Sequence, residues 1–295
     1  MFGQYFGHYL VEKNKISQSQ LEIVLEQQKS SRAKLGLIAV AEKLLTTKQA
    51  DELNELQKKM DRRFGDIAIE KGYLLTEEVN YLLNLQGNPY LKFIQVLADK
   101  NLMAMDEIEA CLESYKKDEN LSDSDLEALK SGDIDRIIPV FVEAEDSFGY
   151  DCISLAIRNI IRFINNDIML KKAYKTSKYS FGNLACQNMV GDHMIFVGFA
   201  CENKELLSLA IPFAKEDFTE MDEDAFDSVC EFINCTNGLF ASKLSLENVH
   251  IDMTPPLYYS NQVLTSTGDV YVVPVVIDGK QSDLLVAFNN KVEIN

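Results

Sequence analysis

The chain has 295 residues, 46% of them hydrophobic and 25% charged, with a net charge of −17. That length leaves room for two domains whose cores need no disulfide staples. The acidity repels phosphate backbones and so argues against sequence-independent nucleic-acid binding, and no apolar run reaches the ~18 residues that span a bilayer. The charge is uneven. Residues 1–115 carry 14 basic and 17 acidic side chains, so most of the negative excess lies beyond them. The amino terminus lacks the basic-then-apolar pattern of a secretory signal, and the six cysteines form no CxxC pair. Together these point to a cytoplasmic protein with buried, reduced thiols. The three histidines lie far apart without ligand spacing, so no metal site of the chain's own is expected.

The first third repeats with a period of 29 residues. Phe6-Gly7, Leu35-Gly36, Phe64-Gly65 and Phe93-Ile94 recur at that interval, as do Ile16, Leu45, Leu74 and Met103, and then Gln28, Gln57, Gln86 and Tyr115. Coincident columns of this kind signal tandem structural units. Each unit reads as a short apolar helix, a turn and a second helix, with Ser17, Thr46 and Thr76 at or beside the second cap and Gln or Glu about three residues later. The second helices lack a basic face, so these helical hairpins are not expected to read DNA.

The unit Arg63-Phe64-Gly65, Gly72, Leu74, Leu83 and Gln86 resembles the RLGxxLxxxGxI…L…Q unit of the amino-terminal (MshEN) domain of type II secretion and pilus ATPases of the GspE and MshE kind. Residues 34–57, the spacer 58–62 and residues 63–86 reproduce the two-unit spacing of members that bind cyclic di-GMP. The resemblance implies cyclic di-GMP as a ligand, held by Arg63, Gly65 and Gln86 with Gly36 and Gln57. The first unit has Lys34 in place of the arginine and Lys43 in place of the later glycine. A protein-interaction scaffold is the other reading of the same columns.

Residues 116–136 are polar and rich in Asp and Ser, which predicts a linker between a helical-repeat domain over 1–115 and a second domain over 137–295. The second domain mixes helix and strand. Residues 154–164 look helical, 194–200 read as a strand, 249–253 alternate, and 270–277 and 284–288 form an antiparallel hairpin around Asp278-Gly279. Pro274 implies an edge or a bulge. The fold class expected is α+β: an all-α repeat domain followed by an antiparallel sheet with helices on one face.

A helix capped near Thr219 and Asp222 carries Phe226, Val229, Cys230, Ile233 and Asn237 on one face. Asp224, Asp227, Glu231, Asn234 and Gly238 share a neighbouring face. Glu231-x-x-Asn234, followed by Gly238, Ser242-Lys243-Leu244-Ser245 and Thr254-Pro255-Pro256, resembles the CheC/CheX/FliY family of chemotaxis phosphatases, its single-motif CheX branch most closely. In such a domain of two related halves, residues 152–164 are the matching helix, with Ala156 and Asn159 at the corresponding positions. The resemblance implies docking on a phosphorylated CheY-like receiver and hydrolysis of its phospho-aspartate, with Mg2+ supplied by the receiver. Asn234 then orients the attacking water and Glu231 pairs with the receiver's active-site lysine. It also implies a homodimer. The alternative expectation is a cyclic di-GMP-binding or non-catalytic adaptor linked to pilus, secretion or motility machinery.

Overall fold

The computed structural model describes residues 1–60, 62–143 and 147–295; Asp61, within the 58–62 spacer, and residues 144–146 lie outside them. Among the described residues no helix is long and apolar enough to cross a membrane. The chain divides into two compact units, Met1–Asp133 and Ile134–Asn295.

The first unit is helical: α1 (Phe2–Glu12), α2 (Gln18–Ser30), α3 (Leu35–Ala41), α4 (Thr47–Met60), α5 (Phe64–Glu70), α6 (Thr76–Asn84), α7 (Pro89–Asp99), α8 (Met105–Asp118) and α9 (Asp123–Ser131). Helices α2, α4, α6 and α8 begin 29 residues apart. The turns that precede them share one geometry. Asn14, Lys43, Gly72 and Asn101 all take left-handed φ values, from 52° to 69°. The amide one residue further on closes back to the preceding helix, as Leu44 N–H does to Ala39 O at 2.9 Å and Tyr73 N–H to Ala68 O at 2.9 Å. This is a Schellman ending, which favours glycine and tolerates asparagine. Lys43 alone in the column is neither. Lys43→Gly should therefore stabilise the protein by about 1 kcal/mol, the scale of the left-handed penalty for an L residue. A higher midpoint in urea unfolding is the expected result; an unchanged or lower midpoint contradicts it.

The second helices are capped as their sequence pattern predicts, with one displacement. Ser17 and Thr46 accept from the amides of Gln20 and Gln49 while those glutamines accept in return. In the third hairpin the cap is Leu75 and Thr76 is already helical; Leu75 N–H donates to Glu78 Oε2 at 2.7 Å, so only half of the reciprocal box forms. The core of this unit includes Phe2, Phe6, Tyr90, Phe93 and Tyr115 in edge-on and tilted ring contacts.

Residues 116–136 are not the linker that their composition suggests. Ser122 caps α9 through Asp125, and Leu126, Ala128 and Leu129 are buried within the first unit. The Asp and Ser content belongs to a capping box, and the two leucines one turn apart supply the buried face.

The second unit comprises α10 (Ile134–Phe141), α11 (Ser147–Phe163), β1 (Ile168–Leu170), β2 (Tyr174–Gly191), β3 (Ile195–Cys201), α12 (Leu207–Ala214), α13 (Glu223–Leu246), β4 (Ile251–Met253), β5 (Leu257–Ile277), β6 (Lys280–Phe288) and β7 (Val292–Ile294). The strands form one sheet in which every pairing is antiparallel. Strands β2 and β5 are long enough to bend and pair along most of their length, and β3 and β6 complete a circuit β2–β3–β6–β5–β2.

Besides the face that backs the helices, the curl encloses a second core. Gln187 and Phe199 point to α13, whereas Leu184 and Phe196 belong to a separate core with Phe181, Leu264, Val270 and Leu285 on the opposite face. Strand β3 is accordingly buried at every position, which explains its unbroken apolar text.

The Asp278-Gly279 turn joins β5 to β6, both residues having positive φ, and Ile277 pairs with Lys280. Pro274 lies at an offset in the ladder, in keeping with an edge or a bulge: between the pairs Leu170–Val275 and Tyr174–Val272 the β1–β2 side holds one residue more than β5. It pairs with Asp283 of β6, and its other side faces the break between β1 and β2, where Lys171 N–H donates to Pro274 O at 3.0 Å. A residue's N and O point the same way in a strand, so the missing amide hydrogen falls where the ladder is already interrupted.

Candidate functional site

Helix α13 carries the candidate pair Glu231 and Asn234. Its cap is Asp222, whose Oδ1 accepts from Ala225 N–H at 3.0 Å, so Thr219 lies outside it. The buried stripe contains Phe226, Val229, Cys230, Phe232, Ile233 and Phe240, with Phe232 packed on Phe199 of β3 and Phe213 of α12. Ser228 Oγ donates to Ala210 O of α12 at 3.0 Å, and Phe226 stacks on Tyr258 of β5 at 4.5 Å. These contacts fix the rotation of α13 about its axis. They leave Asp224, Asp227 and Glu231 exposed.

Glu231 stands in solvent and its Oε1 accepts from the Cys235 thiol at 3.5 Å. Partial burial, and then the Glu231 carboxylate, raise the pKa of that thiol, so Cys235 is no poised nucleophile. Cys235 is nonetheless exposed, unlike the other five cysteines, which are buried as expected; all six are free. Burial pushes Cys230 to about 11 and Cys186 to about 12. An open groove beside Glu231 is lined by Phe213, Phe218, Asp224 and Asp227, so carboxylates and aromatic rings meet there.

Asn234 is half-buried one turn along from Glu231. Its Oδ1 accepts from Gln187 Nε2 of β2 at 2.8 Å. Gln187 is 2% exposed, donates a second hydrogen bond to Thr254 O at 2.7 Å and accepts from Asn237 Nδ2 at 2.8 Å. Nothing in the sequence pattern singled out Gln187, although an amide within Leu184-Ala185-Cys186-Gln187-Asn188-Met189 signals a group that must find partners if buried. Thr254, just before the two prolines, is held by Asn188 O through both its amide and its hydroxyl.

The helix expected to match α13 is α11. Ala156 is buried, and Asn159 Nδ2 donates to Thr236 Oγ1 of α13 at 3.2 Å. Asn159 is thus spent on packing the two helices together, and α11 offers no second polar pair.

The five residues expected to hold cyclic di-GMP belong to the first unit. Gly36 and Gly65 are buried; a Cβ on Gly65 would meet Val79 at 2.7 Å and one on Gly36 would meet Phe64 at 3.1 Å. Gln86 Nε2 donates to Ala33 O at 2.9 Å, as Gln28 of the same column donates to Pro89 O. Arg63 and Gln57 are exposed. Packing and main-chain bonding account for these glycines and for Gln86, and no support for a nucleotide site follows from their placement.

The geometry defines a class first: an α+β domain whose curled antiparallel sheet backs one amphipathic helix bearing an exposed carboxylate and a carboxamide. Residues 184–280, which contain Gln187, Glu231, Asn234, Asn237 and Thr254, match the family described as chemotaxis phosphatase CheX. Among solved structures, the chain is similar to a CheC-like superfamily protein from Shewanella sp. PV-4, at 17% identity over 48% of this chain and 98% of that one, with a TM-score of 0.43. It is also similar to a chemotaxis protein CheX from Desulfovibrio desulfuricans, at 10% identity over 48% and 99%, TM-score 0.43. A third is the CheX–CheY–BeF3–Mg2+ complex from Borrelia burgdorferi, at 18% identity over 48% and 98%, TM-score 0.40. No curated protein matches the sequence.

Proposed function

We propose that this chain docks on a phosphorylated CheY-like receiver and accelerates hydrolysis of its phospho-aspartate, with Glu231 and Asn234 as the residues that reach the receiver. One observation carries the reading. Within the span that matches the CheX family, α13 holds Glu231 in solvent and the half-buried Asn234 one turn along, its Oδ1 bonded to Gln187 and its Nδ2 without a partner among the described residues.

The chemistry asked of such a pair is modest. A water oxygen attacks phosphorus in line. The bond between phosphorus and the aspartyl oxygen breaks with its electron pair returning to the receiver's carboxylate, and the water's protons pass to phosphate and solvent. Phosphoryl transfer of this loose kind needs little from a base and much from positioning. Asn234 holds the water. The receiver brings the acyl phosphate and its Mg2+. Glu231 pairs with a receiver lysine and so fixes the approach, while Asp224 and Asp227 extend the acidic rim toward a basic surface.

The decisive measurement is the lifetime of the acyl phosphate on purified CheY-like receivers with and without the protein. Shortening of that lifetime at catalytic concentrations of the protein is expected. If no receiver from the same cell responds, the proposal fails. Glu231→Lys should raise the receiver concentration for half-maximal rate by more than about tenfold, because it sets like charges against each other at the contact.

A further inference from the structure

The three amides around Gln187 have a direction, and it is set by one atom. Thr254 O is a main-chain carbonyl and can only accept. The Gln187 group facing it at 2.7 Å must therefore be its Nε2 amino group. The second hydrogen of that same group points to Asn234, which must then turn its Oδ1 inward, as the 2.8 Å contact records. Gln187 Oε1 is left as an acceptor and takes Asn237 Nδ2 at 2.8 Å.

The arrangement carries a cost that shows it is imposed. Asn237 is 1% exposed, and its Oδ1 has no hydrogen-bond partner among the described residues. Turning the Asn237 amide over would set oxygen against Gln187 Oε1, so the orphaned acceptor is the consequence of the direction chosen at Thr254. A buried, unpaired carbonyl of this kind is destabilising.

At the other end, Asn234 Nδ2 has no partner among the described residues and is not buried. The pair Glu231 and Asn234 thus presents an acceptor and a donor, not two ambivalent groups.

We infer that Gln187 is the positioning residue of the α13 site: anchored on Thr254 O, it locks the Asn234 carboxamide with its oxygen inward and its amino group outward. The inference deepens the proposed phosphatase reading and rests on it for its kinetic part only. In that reaction an outward Nδ2 donates to one lone pair of the attacking water and leaves the other aimed at phosphorus. The water keeps both its protons until the phosphorus–oxygen bond forms, and they leave through the phosphate product. Locking the amide in advance removes a rotation that a free asparagine would have to freeze in each turnover.

Two experiments test it separately. The first needs no receiver. In the full-length wild-type protein labelled with 15N, both side-chain amide protons of Gln187 should exchange with solvent at least tenfold more slowly than those of Asn234. The reverse order, or equally fast exchange of both, overturns the direction of the relay whatever the protein's activity. The second uses Gln187→Met, which keeps length and volume but donates nothing. With a responsive receiver, kcat for phosphate release should fall at least tenfold while KM stays within twofold, and the Asn234 amide resonances should broaden or shift in the unliganded protein. A purely structural role predicts a lower melting temperature with kcat per folded molecule unchanged, and that result overturns the positioning role. If the wild type accelerates no receiver, the phosphatase reading falls, while the exchange measurement still decides the amide geometry.

Discussion

Asn234→Ala should abolish most of the acceleration of phosphate release, by about 10²-fold or more, the scale set by losing the orientation of an attacking group. The helix should survive the change. Asn234 is half-buried and shares with Thr254 O the amino group of Gln187, so the variant removes one hydrogen bond and leaves Gln187 with its main-chain partner. A net loss of about 1 kcal/mol is expected from such a bond. The check is paired: single-turnover decay of a phosphorylated receiver with each protein, and thermal unfolding of each alone. A variant that keeps the wild-type rate would remove Asn234 from the mechanism. A variant that loses several kcal/mol of stability would make the rate uninformative, and in that event Asn234→Ser, which retains a small polar group on the same helix face, supplies the comparison.

Phe232→Ala carries the largest expected cost in stability, about 3–5 kcal/mol. Its ring is fully buried between Phe199 of β3, at a centroid distance of 5.8 Å, and Phe213 of α12, at 5.5 Å in a T-shaped contact. The neighbours that would have to fill the space are themselves fixed, one in a strand buried at every position and the other on a helix tied by Ala210 O to Ser228. Collapse around the void is therefore limited. Because Phe232 lies between Glu231 and Ile233 on α13, loosening it frees the helix that presents the site. Urea unfolding followed by circular dichroism should show a lower midpoint. A change below about 1 kcal/mol would mean that the aromatic cluster repacks, against the density expected of such a core.

Several features were legible because they depend on neighbours close in the chain. The 29-residue columns predicted where hairpin helices start, and α2, α4, α6 and α8 begin at that spacing. The columns also hid their own cause. Gly72 belongs to the repeated motif because it shares its left-handed turn with Asn14, Lys43 and Asn101. The stripe through Phe226, Val229, Cys230 and Ile233 oriented α13 correctly, since side chains three and four residues apart share a helix face wherever the helix is placed. The hairpin at Asp278-Gly279 followed from two residues able to take positive φ.

One stretch was misread where composition outweighed pattern. The Asp- and Ser-rich stretch at 116–136 contains a capped helix with buried leucines. Pro274, by contrast, does mark an offset in the ladder, a place that exists only because β1 and β2 follow one another along β5.

The sequence by itself therefore determined the helix starts of the 29-residue units, the hairpin turn and the polar face with Glu231 and Asn234, because each arises from interactions within a few residues. The tertiary structure alone decided what Asn234 can do. Gln187 and Thr254 come from different strands and loops, 47 and 20 residues away along the chain, and only the curled sheet beneath α13 brings an amide and a main-chain carbonyl to the asparagine. Hydrogen-bond direction is a property of the assembled set of donors and acceptors, and no periodicity along a chain encodes it.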